Sequence, residues 1–384
     1  MNFEWSQEQN ELYQQAIEFA KKKMNKNLIE EDRNEVFSRE KWQACADLGL
    51  MGMIIPEKYG GLGLDALTVA RVMDGFGYGC QDTSIFLSIG AHIWAVQMPI
   101  LLFGSEEIKQ KYLPRLVSGE WVGAHAISEP SAGSDAMAMN TTAVKDGDFY
   151  ILNGSKTFVT NAPVADLFVA FATINKKYGF AGVTCFAFER NTPGISVESK
   201  MEKMGSRTSP MSDVVFRDAR IPLSNVIGAP SGGSRIFSRI MFWERALILA
   251  PFLGAMQRQI EECVQYANDR VQFGKRLSAY QSISGKIVDM QVRLESARIL
   301  LYKAAWDLEH GDATMPASIA KLVTSDAAVQ TFLDAIQVFG GYGYTTDFEI
   351  ERHLRDAIGT RIYSGTSEMQ KMIIANTIGL KTQG

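Results

Sequence analysis

The sequence predicts an α+β protein with an N-terminal α-helical domain, a middle β domain and a C-terminal four-helix bundle. Apolar residues recur with helical periodicity to about residue 120, short β-forming segments without intervening helices follow, and long helical patterns then return. A chain of 384 residues is long enough for two or three domains with substantial cores. We therefore place the domains at residues 1–120, 121–228 and 229–384.

The N-terminal third carries helix-start signals and apolar stripes. Ser6 and Gln9 have the spacing of a capping box, and an apolar stripe that includes Leu12 and Ala16 follows them. The run from Gly104 to Pro114 predicts a capped helix that the proline stops. Further helices are expected over residues 38–46, 67–76 and 84–102.

The middle third is rich in β-forming residues and hairpin turns. Asp146-Gly147-Asp148 and Asn153-Gly154 are turn sequences between such residues. Strands without intervening helices favour an antiparallel barrel or sandwich over a Rossmann sheet. The other strand candidates are residues 167–174, 183–189, 214–216 and 226–228.

The C-terminal third is helical again. Long patterns cover residues 237–270, 285–310 and 316–339, and Leu294, Ala297 and Leu301 lie on one face of the second. Pro316 stands near a helix start, where its missing N–H costs nothing. Together with a terminal helix, these three patterns predict a four-helix bundle.

Composition and charge exclude several classes of function. The formal net charge of −4 gives no electrostatic basis for nucleic-acid binding. No apolar run of about eighteen residues is evident and the N-terminus lacks a signal-peptide pattern, so we expect no membrane span. Four scattered cysteines and four histidines without ligand spacing indicate free thiols, a cytoplasmic protein and no metal site.

Three short runs near the C-terminus carry possible chemistry. The first ends an apolar helix on Gly340 and Gly341, and glycine tolerates a left-handed cap and close backbone approach. The second contains Arg355-Asp356. The third, Gly365 to Glu368, predicts a helix N-terminus whose free N–H groups suit an anion or a polarised carbonyl. Taken singly, each run is explained as well by a loop or a cap.

In order and spacing these runs resemble the flavin-facing C-terminal signature of the acyl-CoA dehydrogenase family. The resemblance extends over the whole chain and implies that family's fold: helical domain, β-barrel or sandwich, and four-helix bundle. It also implies one non-covalent FAD per chain, in a homotetramer with FAD sites shared between subunits. The further similar runs lie at residues 56–63, 104–114, 128–135, 156–161 and 270–281.

Site residues follow from the resemblance, position by position. Phe158 would lie against the flavin, Thr160 would bond it, and Arg270 would pair with a neighbour's pyrophosphate, a task that suits a guanidinium. Without the resemblance, Phe158 would be a core residue and Arg270 a surface charge. The implied cofactor-binding residues are Ala126, Ile127, Ser128, Gly133, Ser134, Phe158, Val159, Thr160, Arg270, Gln272, Phe273, Leu277, Gln281, Gln337, Gly340, Gly341, Thr366 and Glu368.

The catalytic base does not stand where most of the family carries it. That position is Ser364, which cannot abstract a carbon-bound proton, so its implied role is a backbone N–H for the thioester oxygen. Glu244 is an acid within an apolar helix, where burial raises its pKa toward that of a working base. A structural ion pair is the alternative for such a residue. Isovaleryl-type members share both features, which points to Glu244 as the base.

The substrate is inferred from a further departure. Phe242 stands where coenzyme A users usually carry a polar residue, whereas Arg245 is retained, and Ser134 completes the implied substrate residues. Residues 228–233 also lack acidic character common in the family. The chain is most similar to prolyl-carrier-protein dehydrogenases and oxidases, which implies an L-prolyl thioester on a phosphopantetheinyl carrier protein. The alternatives are a short- or branched-chain acyl-CoA dehydrogenase and a catalytically silent flavin-binding scaffold.

Overall fold

The computed structural model describes residues 4–380, and the first third of that range is helical. Side-chain caps set the helix starts: Ser6 forms the predicted capping box with Gln9, and Ser38 caps the predicted second helix. The N-terminal helices are α1 (Gln7–Lys23), α2 (Leu28–Asn34), α3 (Arg39–Asp47), α4 (Ala66–Gly79), α5 (Ile85–Gly90), α6 (Met98–Phe103) and α7 (Glu106–Val117).

Two details differ from the expectation for these helices. Helix α2 was not predicted, and it is short, with left-handed backbone at both flanking residues, Asn27 and Glu35. Helix α7 begins at the predicted cap, Ser105, but continues past Pro114 to Val117. A proline forfeits its own N–H bond, but it leaves the next turn intact, and burial of Leu116 in the core stabilises that turn.

A π-helical segment, Ala91–Gln97, joins α5 to α6 into one long apolar helix. By length and composition alone, Ile85–Phe103 could cross a membrane, with a mean hydropathy of 1.8, so the expectation that no such run exists was wrong. However, 89% of the tested window is buried inside the protein. The core helix of a globular protein has the same property, and this burial explains the apolar composition.

The glycines of α4 allow this helix to pack closely against α9. A Cβ on Gly77 would lie 1.8 Å from the carbonyl oxygen of Pro251, and one on Gly254 would lie 2.0 Å from that of Asp74. Both contacts are far shorter than any real Cβ contact, so only glycine permits this helix crossing.

One mixed sheet forms the middle of the chain. The long strands β3 and β7 pair in antiparallel fashion, whereas β1 and β4 run parallel, so the sheet is not purely antiparallel as predicted. A second hydrophobic core, which includes Phe168 and Phe186, lies within it. The strands are β1 (Gly123–Ala126), β2 (Thr142–Asp146), β3 (Phe149–Thr160), β4 (Leu167–Thr173), β5 (Val183–Glu189), β6 (Ile195–Val197), β7 (Met211–Pro222) and β8 (Val226–Ile227).

Of the two predicted turns, only the first reverses the chain. The β2–β3 hairpin turns at Gly147 and Asp148, as expected. At Asn153-Gly154 the strand instead continues through a register shift. Gly154 has φ of +146° and lies against Thr141, so it makes a bulge rather than a hairpin turn.

The C-terminal third is a four-helix bundle with added short helices. The predicted helix over residues 237–270 is split, because the backbone leaves helical geometry at Leu249 and Pro251 stands in the first turn of the next helix. The elements are α8 (Gly233–Leu247), α9 (Ala250–Asp269), a hairpin of β9 (Val271–Gln272) and β10 (Lys275–Arg276), α10 (Gln281–His310), α11 (Thr314–Phe339), α12 (Gly341–Tyr344), α13 (Ile350–Thr360) and α14 (Ser367–Thr377).

Asp356 joins segments from all three parts of the chain. Its carboxylate accepts hydrogen bonds from the hydroxyls of Thr83 and Ser84 and from the backbone N–H of Ser206. Its neighbour Arg355 pairs with Asp32 on α2 at 2.7 Å. The Arg-Asp run, grouped with the flavin-facing signature in the sequence, therefore has a structural task between domains.

Candidate active site

Glu244 is buried on α8 with one oxygen bonded and the other free. The hydroxyl of Ser364 donates to Oε1 at 2.5 Å, whereas Oε2 has no hydrogen-bond partner among residues 4–380. The residue is only 8% exposed. Burial raises the pKa of Glu244, against the opposing effects of the Ser364 hydrogen bond and the charges of Arg245 and Lys321. A buried carboxylate with a free oxygen and a raised pKa has the properties of a general base.

Ser364 lies in a strained turn that other side chains hold in place. Its φ is +57° and that of Gly365 is +86°, and the left-handed region is unfavourable for serine. Gln370 donates its side-chain N–H to both carbonyl oxygens of the turn, at 3.3 and 2.8 Å. The turn therefore fixes where Ser364 meets Glu244.

The sequence analysis did not identify Lys321, a fully buried lysine on α11. Its Nζ donates to the carbonyl oxygen of Gly365 at 2.7 Å. Burial, together with the charge of Arg245, lowers the pKa of Lys321 to about 8, although Glu244 opposes the shift. A single lysine among the apolar residues of the predicted helix 316–339 was the signal that could have identified it.

The predicted substrate residues Phe242 and Arg245 are three positions apart, which places them on the same side of α8. Both are half-buried. Burial lowers the pKa of Arg245, and the negative charge of Glu244 opposes this shift. Nε of Arg245 has no hydrogen-bond partner among the described residues. The helix thus presents a carboxylate, an incompletely bonded guanidinium and an aromatic ring within four residues.

A buried ion pair connects the predicted flavin loop to the predicted flavin strand. Lys156 of β3 contacts Glu129 at 2.8 Å and donates to the carbonyl oxygen of Ile127 at 3.0 Å. Burial lowers the pKa of Lys156 to about 8, while the Lys156 charge keeps the pKa of Glu129 below its ordinary value despite burial. The backbone also connects the two segments, because Thr157 N–H donates to the Ser128 carbonyl at 2.8 Å. Neither Glu129 nor Lys156 was predicted as a site residue.

Phe158 is not a core residue, because it is 65% exposed and its backbone is left-handed. Ser128 and Thr160 are half-buried, and Gly133 and Ser134 are exposed in the loop. By contrast, the side chains of Ala126 and Val159 lie in the core of the sheet. Those two residues can offer a cofactor only backbone atoms.

A second group of predicted cofactor residues lines a separate cleft of about 610 Å³. It brings together Arg270, Gln272 and Leu277 with the end of α11, at Gln337, Gly340 and Gly341. The Arg270 guanidinium lies 5.8 Å from the ring centre of Tyr342. Phe273 and Gln281 are exposed nearby, and Phe273, at the tip of the β9–β10 hairpin, is 96% exposed.

The two groups of residues lie far apart within one chain. Lys321 contacts the Ser364 turn from the first third of α11, whereas Gln337 lines the cleft near the C-terminal end of this helix. These positions are sixteen residues apart, which at 1.5 Å per residue is about 24 Å. The cleft is therefore remote from Glu244 in the same chain.

The start of α14 supplies polar groups beside Ser364. Thr366 caps the helix by accepting from the Met369 N–H at 3.3 Å, and the hydroxyl of Ser367 is buried with no partner among the described residues. Glu368 is exposed, and hydrogen bonds from its own backbone N–H and from Thr366 lower its pKa. The exposed Phe158 and the helix N-terminus have the chemistry to hold one part of a flavin dinucleotide, and the separate arginine-lined cleft has the chemistry to hold phosphate groups.

Comparisons with known proteins cover nearly the whole chain. Models of the acyl-CoA dehydrogenase N-terminal, middle and C-terminal domains match residues 6–120, 124–219 and 231–379. An L-prolyl-peptidyl-carrier-protein dehydrogenase of Pseudomonas fluorescens is 42% identical over 351 residues, which are 91% of this chain and 92% of that protein.

Two solved structures share the fold closely. The prolyl acyl carrier protein oxidase AnaB is 44% identical with a TM-score of 0.97, over 98% of this chain and all of that one. PigA, in a structure with FAD and proline, is 39% identical with a TM-score of 0.97, over 99% of this chain and all of that one. The chain belongs to the acyl-CoA dehydrogenase family.

Proposed function

We propose that this protein is an FAD-dependent dehydrogenase or oxidase of an acyl thioester, and that its substrate is L-proline bound to the phosphopantetheine arm of a carrier protein. Proteins that are 39–44% identical are named for prolyl carrier-protein substrates or were solved with FAD and proline. The observation that carries the proposal is the buried Glu244 with its free oxygen, against Ser364. That geometry argues against a catalytically silent scaffold.

In this proposal each residue of the site has a role in the reaction. Glu244 removes the α-proton of the thioester, and the backbone N–H of Ser364 stabilises the negative charge on the thioester oxygen. Lys321 and Gln370 hold the Ser364 turn, and Phe242, Arg245 and Ser134 line the substrate path. When bound, FAD supplies the acceptor for the hydride that leaves the substrate.

The cofactor site is proposed to be shared between subunits of a homotetramer. Residues near Glu244, including Ser128, Phe158, Thr160 and Thr366, would hold the ring. The cleft with Arg270 and Gln337 would hold the pyrophosphate end of a neighbour's FAD, which the distance of about 24 Å along α11 supports. We place the enzyme in the cytoplasm, where its four buried cysteines would stay reduced.

The second candidate is a short- or branched-chain acyl-CoA dehydrogenase. Arg245 on α8 supports it, because Nε of this arginine has no partner among the described residues and is available to a coenzyme A thioester. Phe242 favours the carrier-bound donor, because an aromatic ring replaces a polar contact.

Anaerobic mixing of the FAD-loaded protein with prolyl-carrier protein, isovaleryl-CoA and butyryl-CoA tests the proposal. We expect loss of the oxidised flavin absorbance with prolyl-carrier at a rate far above that with either coenzyme A thioester. Efficient reduction by isovaleryl-CoA or butyryl-CoA instead would establish the second candidate. Absence of reduction by all three donors would favour the silent scaffold.

A further inference from the structure

A group of cations without acidic partners lies on the surface beside the candidate active site. Lys176, Lys177, Arg235 and Arg239 are exposed, and none forms an ion pair with another described residue. The chain as a whole carries a net charge of −4, so this group runs against its overall charge. Asp135, in the neighbouring loop, is the exposed acid beside it.

The four cations belong to one surface because the elements that carry them pack together. The turn Lys176–Gly182 packs against α8 and against the turn Ala136–Ala138. The start of α8 is fastened next to this turn, since the backbone N–H of Ser231 donates to the Thr184 hydroxyl at 2.9 Å. Arg235 and Arg239 are one helical turn apart on α8.

Two exposed aromatic rings complete this surface. Tyr178 is 65% exposed and Phe180 is 69% exposed, both on the turn that carries Lys176 and Lys177. Aromatic and arginine side chains together are typical of protein–protein interfaces. We call the six residues the basic face: Lys176, Lys177, Tyr178, Phe180, Arg235 and Arg239.

The basic face borders both walls of the candidate active site. Lys176 donates to Asn140 at 3.3 Å, and Asn140 donates to the Ser131 hydroxyl at 3.0 Å, in the loop that also contains Ser134. On the other side, the Arg239 guanidinium lies 6.0 Å from the ring centre of Phe242, two residues before Glu244. A molecule seated on this face would therefore stand where a thioester arm enters.

We propose that the basic face docks an acidic surface of the carrier protein around the serine that bears its arm. This inference rests on the proposed function and deepens it. The phosphodiester that joins the arm to its serine is an anion, so the arm's base already requires positive charge nearby. Complementary charge accelerates association and fixes orientation, while the two aromatic rings supply apolar contact.

The test is a double charge reversal, Lys177→Glu with Arg235→Glu, and neither residue touches Glu244 or Ser364. The matched control is Lys22→Glu with Lys23→Glu on exposed α1, which changes the net charge equally. Each protein is assayed with prolyl-carrier protein, with prolyl-CoA, and with prolyl-pantetheine, which has the same arm without the protein. Binding of the unloaded holo-carrier protein is measured separately by fluorescence anisotropy, without turnover.

We expect the face variant to lose about tenfold or more in kcat/KM for prolyl-carrier, mainly through KM, with prolyl-pantetheine oxidised as by the parent. Carrier binding by the parent should weaken as salt rises, and binding by the variant should lose that dependence. The control variant should behave like the parent with both donors.

An equal loss of kcat/KM with prolyl-carrier and with prolyl-pantetheine would overturn the proposal, because the basic face would then act on the arm itself and not on the carrier protein. Unchanged carrier binding in the face variant would overturn it as well, and so would a parent protein that does not bind the carrier. A larger loss with prolyl-CoA than with prolyl-carrier would assign the face to a nucleotide instead. Carrier binding that depends on the face, without oxidation of the prolyl group, would refute the proposed substrate and leave the docking site standing.

Discussion

At the scale of single residues, the site depends on a carboxylate that the fold makes costly to ionise. Glu244 lies among buried apolar side chains, and the one oxygen that is bonded accepts from Ser364. The contact between these two side chains means that both positions face the same point in the site. A proton acceptor could therefore be placed on either α8 or the Ser364 turn.

We predict that Glu244→Gln keeps the shape of the site and removes the proton acceptor. Loss of a general base typically costs about 10²–10⁴ in rate. Rapid-mixing measurement of flavin reduction should show this loss while FAD content stays at the parent level. Ser364→Ala serves as the control and should be mild, because the task of Ser364 belongs to its backbone N–H.

A stricter test moves the carboxylate with Glu244→Gly and Ser364→Glu in one protein. Partial recovery over Glu244→Gly alone is the expected outcome. A Glu244→Gln enzyme that reduces its flavin as fast as the parent would disprove the assignment of the base.

The raised pKa of Glu244 also predicts a dependence of stability on pH. The folded-state pKa of Glu244 lies above the ordinary value of 4.5. The contribution of this residue to the free energy of unfolding is therefore complete below pH 4.5, and it is lost as the pH rises through the raised pKa. Glu244→Gln should therefore raise the melting temperature at neutral pH and leave it nearly unchanged at pH 4. Thermal denaturation followed by circular dichroism at both pH values measures this, and equal melting temperatures at neutral pH would contradict it.

Lys321 is predicted to act on Glu244 through its charge. Removal of the cation in Lys321→Met should disfavour the ionised carboxylate and move the pH midpoint of flavin reduction upward. Lys371→Met on exposed α14 is the control and should leave the midpoint unchanged. An unchanged pH midpoint in Lys321→Met would show that Lys321 only donates a hydrogen bond to the Gly365 carbonyl and does not act on Glu244.

At the scale of elements, each segment of the site has its own mechanical role. Helix α8 carries Glu244, the proposed base, together with the proposed substrate residues Phe242 and Arg245. Strand β3 is joined to the predicted flavin loop by the ion pair of Lys156 and Glu129. The β9–β10 hairpin has a different character, because it projects and exposes Phe273 almost completely. An isolated hairpin of four paired residues gains little stability by itself, so we expect a neighbouring subunit to cover it.

Phe273→Asp tests this role of the hairpin. If a neighbour covers the ring, a buried charge at the subunit contact should both dissociate the assembly and lower FAD occupancy. Sedimentation velocity and the ratio of flavin to protein absorbance measure the two effects. Phe180→Asp makes the same change on the basic face and should alter neither quantity. A Phe273→Asp protein with parent assembly and FAD content would exclude the shared site.

At the scale of the whole molecule, domain contacts converge on Asp356. It is 1% exposed and bonds to residues of the N-terminal and middle parts of the chain. Burial raises its pKa, so the hydrogen bonds from Thr83, Ser84 and Ser206 are what make this buried acid tolerable. Arg355 adds an ion pair to α2 through Asp32.

We predict that Asp356→Ala destabilises the protein by about 3–5 kcal/mol, because three donors lose a buried partner. Chemical denaturation should also become less cooperative, since the domains lose a common contact. Asp326→Ala, at a half-exposed acid on α11 that pairs with Arg361, provides a comparison and should cost about 1 kcal/mol or less. Equal costs for the two variants would show that Asp356 does not couple the domains.

The sequence by itself determined the succession of helical, β and helical segments, the capped starts of two helices and the candidate base, Glu244, whose role stays a prediction. These features depend on local signals: Ser6 and Ser105 cap the turns beside them, and Glu244 is conspicuous because the residues around it are apolar. The resemblance added the cofactor residues, which no local pattern could assign. Helix ends set by distant packing were missed, as at Pro114 and Leu249.

Only the tertiary structure revealed groups that meet across large separations in sequence. Lys321 meets Gly365, and Lys156 meets Glu129, because buried charges must find partners wherever the fold supplies them. The sequence around each of these lysines does not predict which residue will be its partner. The separation of Glu244 from the Arg270 cleft was likewise hidden, since it depends on the length of α11 between them. The bulge at Gly154, read as a turn, is set by Thr141 packed against it.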